Sequence, residues 1–424
     1  MNSIFHTTIA LLSLTIGYRY GGSLFILGIS PYLIYMVLQC DARFFPALVL
    51  HCASETSATS VIFSSFIILS IYRYKKIFNL KMKTLFWILT GLLPVFIWLT
   101  FESIIKLSMY PPIAIAQNGY YLSFFAFFYG TLVSNSFNKK VLRETYAILI
   151  IVYLLYFIGV IEFTRIVSGF TFLFSSFFAL FFVFKTKKIF LFPISLFAFL
   201  STINSSDEST LTNIFIAFAS FIMVILYFKD KNKIILNSTG IIPFLIILIL
   251  YFYGIKNYMN IEGVYSHEGK DFSNWNSLSK WITWKFFADR APYWAGGVSQ
   301  IFEFKHLFPI PGMPNIVATF ISGNEREITF GSHTTMIELI RKYGIIPGTL
   351  LVSSLIHMVI VSRKIMSQKD LPATIVPLFS MAIISTIVLT LNGQFQILPG
   401  YSLLSLGILG IAYGAHMRKY LKLT

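Results

Sequence analysis

The sequence predicts an all-α polytopic membrane protein, a bundle of about 12–13 transmembrane helices with one large extracytoplasmic loop. Three observations predict it. Hydrophobic residues fill 56% of the 424 positions and charged ones only 12%, with a mean hydropathy of +0.75; a soluble domain carries about a quarter charged residues. Apolar runs of roughly 18 residues or longer recur along the chain, the length a hydrocarbon core demands. Short basic clusters separate these runs, as the positive-inside rule expects of cytoplasmic loops.

Taken in order, the spans fall at 3–17, 22–39, 50–72, 84–101, 112–134, 144–161, 166–184, 189–203, 211–228, 240–257, 344–362, 372–390 and 399–416. No Lys or Arg precedes Arg19 and no small-residue cleavage site follows the first run, so 3–17 reads as a retained span and not a signal peptide. Arg19 and Arg43 give opposing hints about the first seventy residues, which leaves both 12 and 13 spans open. From residue 73 onward the orientation is consistent. The clusters at 73–83, 139–143, 185–188, 229–233, 363–369 and 418–422 hold most of the 33 Lys and Arg, with only Glu144, Asp230 and Asp370 beside them. The net charge of +16 therefore reports topology, and nucleic acid is not expected as a partner.

By the same alternation, residues 258–343 lie outside the cytoplasm, between N-terminal helices in 1–257 and C-terminal helices in 344–424. This long loop is nearly neutral and aromatic, with Trp275, Trp281, Trp284 and Trp294. Disordered segments are poor in aromatics, so an ordered, functional loop is expected. Within it, "SLSKWITWKFFADRAPYWAGGVSQIF" has the amphipathic spacing of an interfacial helix, its tryptophans suited to an interfacial belt or to sugar stacking. "TTMIELIRKYG" reads as a second helix, with Met336, Leu339, Ile340 and Tyr343 on its apolar face, Gly344 as C-cap and Pro347 soon after.

Signatures of several chemistries are missing. The chain has no GxxxxGK[ST], HExxH, GxSxG or paired carboxylate motif. Cys40 and Cys52 make neither a disulfide framework nor a zinc spacing, and His51 with Glu55 offers too few ligands, so no metal or cofactor is expected. What remains is a set of ionisable groups on the outer loop. Arg290, beside Asp289, could grip a diphosphate through paired, charge-assisted hydrogen bonds and offset charge on a departing group. His333, at a helix start, could take a proton from a sugar hydroxyl. The bland alternatives stay open: Arg290 as an interfacial side chain paired locally, His333 as a helix-start residue. Glu338, with Arg341 three residues on and Lys342 four on, reads as a structural brace.

At "DRAPYW", "PIPGMP" and "GSHTTMIELIRKYGIIPG" the sequence resembles the bacterial O-antigen polymerase and O-antigen ligase superfamily. The shared pattern is Arg290 followed by Trp294, a turn at Pro311 and Gly312, then His333, Gly344 and Gly348. It covers about 285–350 together with the hydropathy layout. The resemblance implies a metal-independent, GT-C-like glycosyltransferase of the bacterial inner membrane, its active site facing the periplasm or outside. Its substrate would be undecaprenyl diphosphate-linked oligosaccharide, its setting the lipid bilayer, and a chain-length regulator protein a further candidate partner. Arg290 would hold the diphosphate and His333 would activate or position the acceptor hydroxyl, with Trp294 lining the substrate site. Members carry another arginine at the outer end of an earlier span. Here that place reads "TINSSDESTLTN", without a basic residue, which leaves Arg326, Arg165 or Arg341 as second phosphate ligands. Arg326 is preferred, since it shares the loop of His333. The expected activity is repeat-unit polymerisation; ligation to a lipid A core, export of lipid-linked sugars by a flippase and acyl transfer are the alternatives.

Overall fold

A computed structural model of the protein describes residues 83–106, 119–137, 291–310, 314–319, 325–328, 331–366, 376–392 and 399–421, with isolated positions in 5–72, 140–158 and 216–227. The described chain is mostly helical. Its helices are α1 (Lys83–Lys106), α2 (Gly119–Val133), α3 (Ala291–Phe304), α4 (Thr335–Tyr343), α5 (Ile345–Met366), α6 (Val376–Asn392) and α7 (Pro399–Leu421). A two-stranded antiparallel ribbon, β1 (Ile316–Thr319) and β2 (Glu325–Ile328), lies between α3 and α4, with Ile316 opposite Ile328 and Thr319 opposite Glu325. The ribbon departs from the all-α expectation.

The helices coincide with the spans expected at 84–101, 112–134, 344–362, 372–390 and 399–416. Those at 3–17, 50–72, 144–161, 166–184, 189–203 and 240–257 fall wholly or largely outside the described residues. Among the described residues, α5 is the helix long and apolar enough to cross a membrane.

Glycines set how closely these helices approach. On α7, Gly407, Gly410 and Gly414 recur at three- and four-residue spacing along the face turned to α2. A Cβ on Gly410 would collide with the carbonyl of Phe127, one on Gly414 with the Ser134 hydroxyl, and one on Gly130 of α2 with the carbonyl of Gly407. Backbones can meet only where side chains are this small, the usual packing device of apolar helices. Likewise Gly91 of α1 admits Leu351 and the Pro347 carbonyl of α5; a Cβ on Gly91 would stand 3.2 Å from that carbonyl oxygen. Trp87 and His357 meet edge-on across the same pair at 5.4 Å.

Helix α6 is buried from Val376 through Leu391. Three of its hydroxyls turn back on their own helix: Ser380 donates to the Val376 carbonyl at 2.8 Å, Thr386 to Ala382 at 2.7 Å and Thr390 to Thr386 at 2.6 Å. That satisfies polar groups where no water reaches. Conversely, Phe86, Leu93 and Ile97 on α1 and Ile356 and Ile360 on α5 are exposed. The bundle thus buries hydroxyls within an apolar core and also displays large apolar side chains on its outside.

Candidate functional site

Helix α3, the ribbon and α4 build a compact assembly on the ends of α5 and α6. Helix α3 is pressed into it by two glycines. A Cβ on Gly296 would meet Ile316 of β1 at 2.6 Å, and one on Gly297 would meet Ile337 of α4 at 2.8 Å and Ser332 at 2.9 Å. The "AGG" of α3 is therefore the contact between helix, ribbon and the loop bearing His333.

That loop has an unusual backbone. Gly331 has φ 81° and His333 has φ 55°, both left-handed. Glycine takes this region freely, whereas an L-residue bears a cost of roughly 1–2 kcal/mol. Neighbours on either side hold His333 there. The Ser332 N–H donates to Glu338 Oε1 at 2.7 Å. On the other side, Thr334 is the N-cap of α4, with extended φ −141° and ψ 125°. Its hydroxyl makes no cap bond and donates instead to the carbonyl of Thr390 on α6 at 3.1 Å. The half-buried imidazole of His333 lies against the ring of Tyr293 from α3, centroids 4.9 Å apart and planes tilted by 33°.

Beneath it lies a buried ionic network. Glu338 is 0% exposed and Arg341 3%, and the two pair through Arg341 Nε to Glu338 Oε1 at 2.9 Å and Nη2 to Oε2 at 2.8 Å. The remaining nitrogen of the guanidinium, Nη1, donates to Gln300 Oε1 on α3 at 3.0 Å and to the Pro314 carbonyl at 2.9 Å. Gln300 Nε2 passes the chain of bonds to the Asn315 carbonyl at 2.9 Å, and Asn315 Nδ2 to Glu327 of β2 at 2.8 Å. One carboxylate thereby ties the His333 loop, α4, α3 and the ribbon together. Gly331 is required beside it, since a Cβ there would stand 2.7 Å from Glu338 Cδ.

Each expected site residue can now be placed. His333 occupies the fixed, partly open position just described. Glu338 braces the assembly through Arg341; burial lowers Lys342 below its ordinary 10.5, the charge of Glu338 partly offsetting this. Arg341, one candidate phosphate ligand, is corrected: it is buried and all three of its guanidinium nitrogens are held by protein acceptors. Trp294 is corrected too. At 3% exposure it belongs to the interior, so it offers no open face for sugar stacking or for an interfacial belt. Gly344 is the C-cap of α4, with φ 87° and its N–H donating to the Ile340 carbonyl at 3.0 Å. Arg326 is on β2, opposite Ala318. Arg290 and Arg165 lie outside the described residues; in sequence Arg290 directly precedes α3, three residues before Tyr293. Sequence reasoning missed Tyr293 and Gln300. The first stands between Arg290 and Trp294 in the quoted "DRAPYW", and helical spacing from Arg290 was the available signal.

Among the described residues no group of three or more His, Cys, Asp or Glu could hold a metal ion. Lys342 and His306 are the basic groups of this region whose charged forms burial disfavours. For His306 burial is the main cause, the Arg341 charge reinforces it and the Arg341 main chain opposes it. Comparison of the chain with known protein families, with curated proteins and with solved structures finds no match.

Proposed function

We propose that the protein is a multi-span, GT-C-like membrane glycosyltransferase that polymerises O-antigen repeat units on the outer side of the bacterial inner membrane. The observation that carries this reading is His333, an ionisable ring in a left-handed backbone position, locked from both sides yet left partly open. Backbone strain of this kind persists only where the surroundings over-determine it, and it concentrates at working sites. The bond from Thr334 to Thr390 also puts the His333 loop at the C-terminal end of α6, the end away from the basic cluster at 363–369, in keeping with an outward loop. The exposed Phe86, Leu93, Ile356 and Ile360 suit a lipid-facing bundle.

In this reading His333 accepts the proton of an acceptor sugar hydroxyl as that oxygen attacks the anomeric carbon of a lipid-linked glycan. The glycosyl–phosphate bond breaks, undecaprenyl diphosphate departs with the electron pair, and direct attack inverts the anomeric centre. Arg290 offsets the diphosphate charge, with Arg326 as a second cation on the same loop. Tyr293 keeps the imidazole oriented, and the Glu338–Arg341 pair keeps the loop in place.

The test is the length distribution of surface glycan in a deletion strain, resolved as a ladder on a silver-stained gel. A single repeat unit on the lipid core, restored to a ladder by the wild-type gene and not by His333→Ala or Arg290→Ala, is the expected result. A bare core refutes polymerisation; undecaprenyl-linked chains accumulating with it mean ligation, and failure of units to reach the outer face means export.

A further inference from the structure

A second surface lies next to this assembly. After α3 the chain turns at Lys305, itself at φ 46°, and runs back along the start of α5. The N–H groups of Ile345 and Ile346 donate to the carbonyls of His306 and Leu307 at 3.0 and 3.1 Å. Gly344 permits this approach, because a Cβ there would meet the Leu307 carbonyl at 2.7 Å. The segment turns its bulk outward. Phe302 is 69% exposed, Leu307 55% and Phe308 53%, and Phe304, Ile345 and Ile346 are exposed beside them. Glu303 and Lys305 are exposed among them. Large side chains displayed this way in one segment exceed the scatter of single apolar residues normal on a wetted surface.

We infer that residues 302–308, with Ile345 and Ile346, form an anchor immersed at the headgroup level of the outer leaflet. The occupant follows from continuity. Ile345 and Ile346 open α5, the helix long and apolar enough to cross a membrane, whose further exposed large apolar residues are Ile356 and Ile360. The patch therefore prolongs the face that α5 turns to lipid, and it rests on the membrane reading of that helix. Glu303 and Lys305 set the depth: charged groups keep to the interface, where a lysine stem reaches headgroups while the rings beside it bury. The anchor fixes the height of α3, hence of Tyr293 and His333, relative to lipid phosphates.

Cys40→Ser and Cys52→Ser give a background in which single cysteines at Phe302, Leu307, Ile356 and Glu327 carry an environment-sensitive fluorophore. The labelled full-length protein is placed in phosphatidylcholine–phosphatidylglycerol vesicles. Nitroxide lipids, labelled near the headgroup or deep in the chain, compete with aqueous iodide as quenchers. The inference expects blue-shifted emission at Phe302 and Leu307, quenched by the shallow nitroxide and shielded from iodide, with Ile356 quenched by the deep one and Glu327 open to iodide. Ile356 in lipid with Phe302 and Leu307 quenched by iodide, or by neither agent, overturns the anchor alone. Ile356 quenched by iodide overturns the membrane placement of α5 and the anchor with it. The glycan ladder, read separately, decides the enzymatic proposal.

Discussion

Replacing Arg341 by methionine keeps an apolar stem in place and deletes the guanidinium. Four hydrogen bonds vanish: two to Glu338 and one each to Gln300 and Pro314. The neutral acceptors cost about 1–3 kcal/mol each when stranded without water. Glu338 decides the outcome, because a carboxylate with no exposed surface is left with the Ser332 N–H as its remaining donor among the bonds described. Removing one partner of a buried ion pair typically costs about 3–5 kcal/mol. The double variant Arg341→Met with Glu338→Gln buries no lone charge, and its amide oxygen can still accept from Ser332. A coupling of about 2–3 kcal/mol is therefore expected between the two positions, near the upper end for contacting residues. Thermal midpoints of the wild type, both single variants and the double variant in detergent, followed by tryptophan fluorescence, measure it. Losses that simply add, with coupling below about 0.5 kcal/mol, would refute the network as a unit.

Other positions give sharper contrasts. His333→Gly relieves the left-handed backbone and is expected to raise stability by about 1 kcal/mol while abolishing the glycan ladder; a lowered midpoint would contradict the strain. Gly410→Leu drives a side chain into the Phe127 carbonyl, so the α2–α7 seam must open, at about 1–3 kcal/mol or more, read as a lowered midpoint. Burial holds His306 below its ordinary 6.5. Between that lowered value and 6.5 the unfolded chain keeps a proton the folded protein has released, so stability rises with pH across the window and is lost on acidification. His306→Gln is expected to flatten the fall in midpoint below about pH 6.5; parallel curves for the two proteins would exclude His306 as its source.

Much of this architecture was legible, and the physical reasons for the rest are particular. Helix α4 could be read to its last residue, because apolar positions recur at helical spacing and Gly344 closes it. The ribbon could not, since two strands of four residues carry too little alternation to stand out from a Pro/Gly-rich loop. Glu338 offered two partners at helical spacing, and spacing alone does not choose. Nor does it show that the arginine fork reaches Gln300 and Pro314 at the same time. Gln300 itself is 41 residues from Arg341 and uncharged, so no local pattern betrayed it. Trp294 misled because a tryptophan near a membrane usually marks an interface, whereas here it is interior to the fold. The glycines of "SLGILGIAYGA", at three- and four-residue spacing, carry a signal of close helix packing that the sequence reading passed over.

The bonds from Ile345 and Ile346 back to His306 and Leu307 bear on how such proteins can be recombined. They satisfy two of the orphan amide donors at the head of α5, so that helix is finished by chain belonging to the preceding loop. A chimaera that exchanges residues 258–343 with a foreign loop, cutting where the hydropathy changes, would strip α5 of its own cap. It would also split Gly344 from the carbonyl it was shaped to admit. Grafts that carry 291–348 as one cassette keep that splice whole, and they keep His333 with Tyr293 and Arg341 with Gln300 of α3.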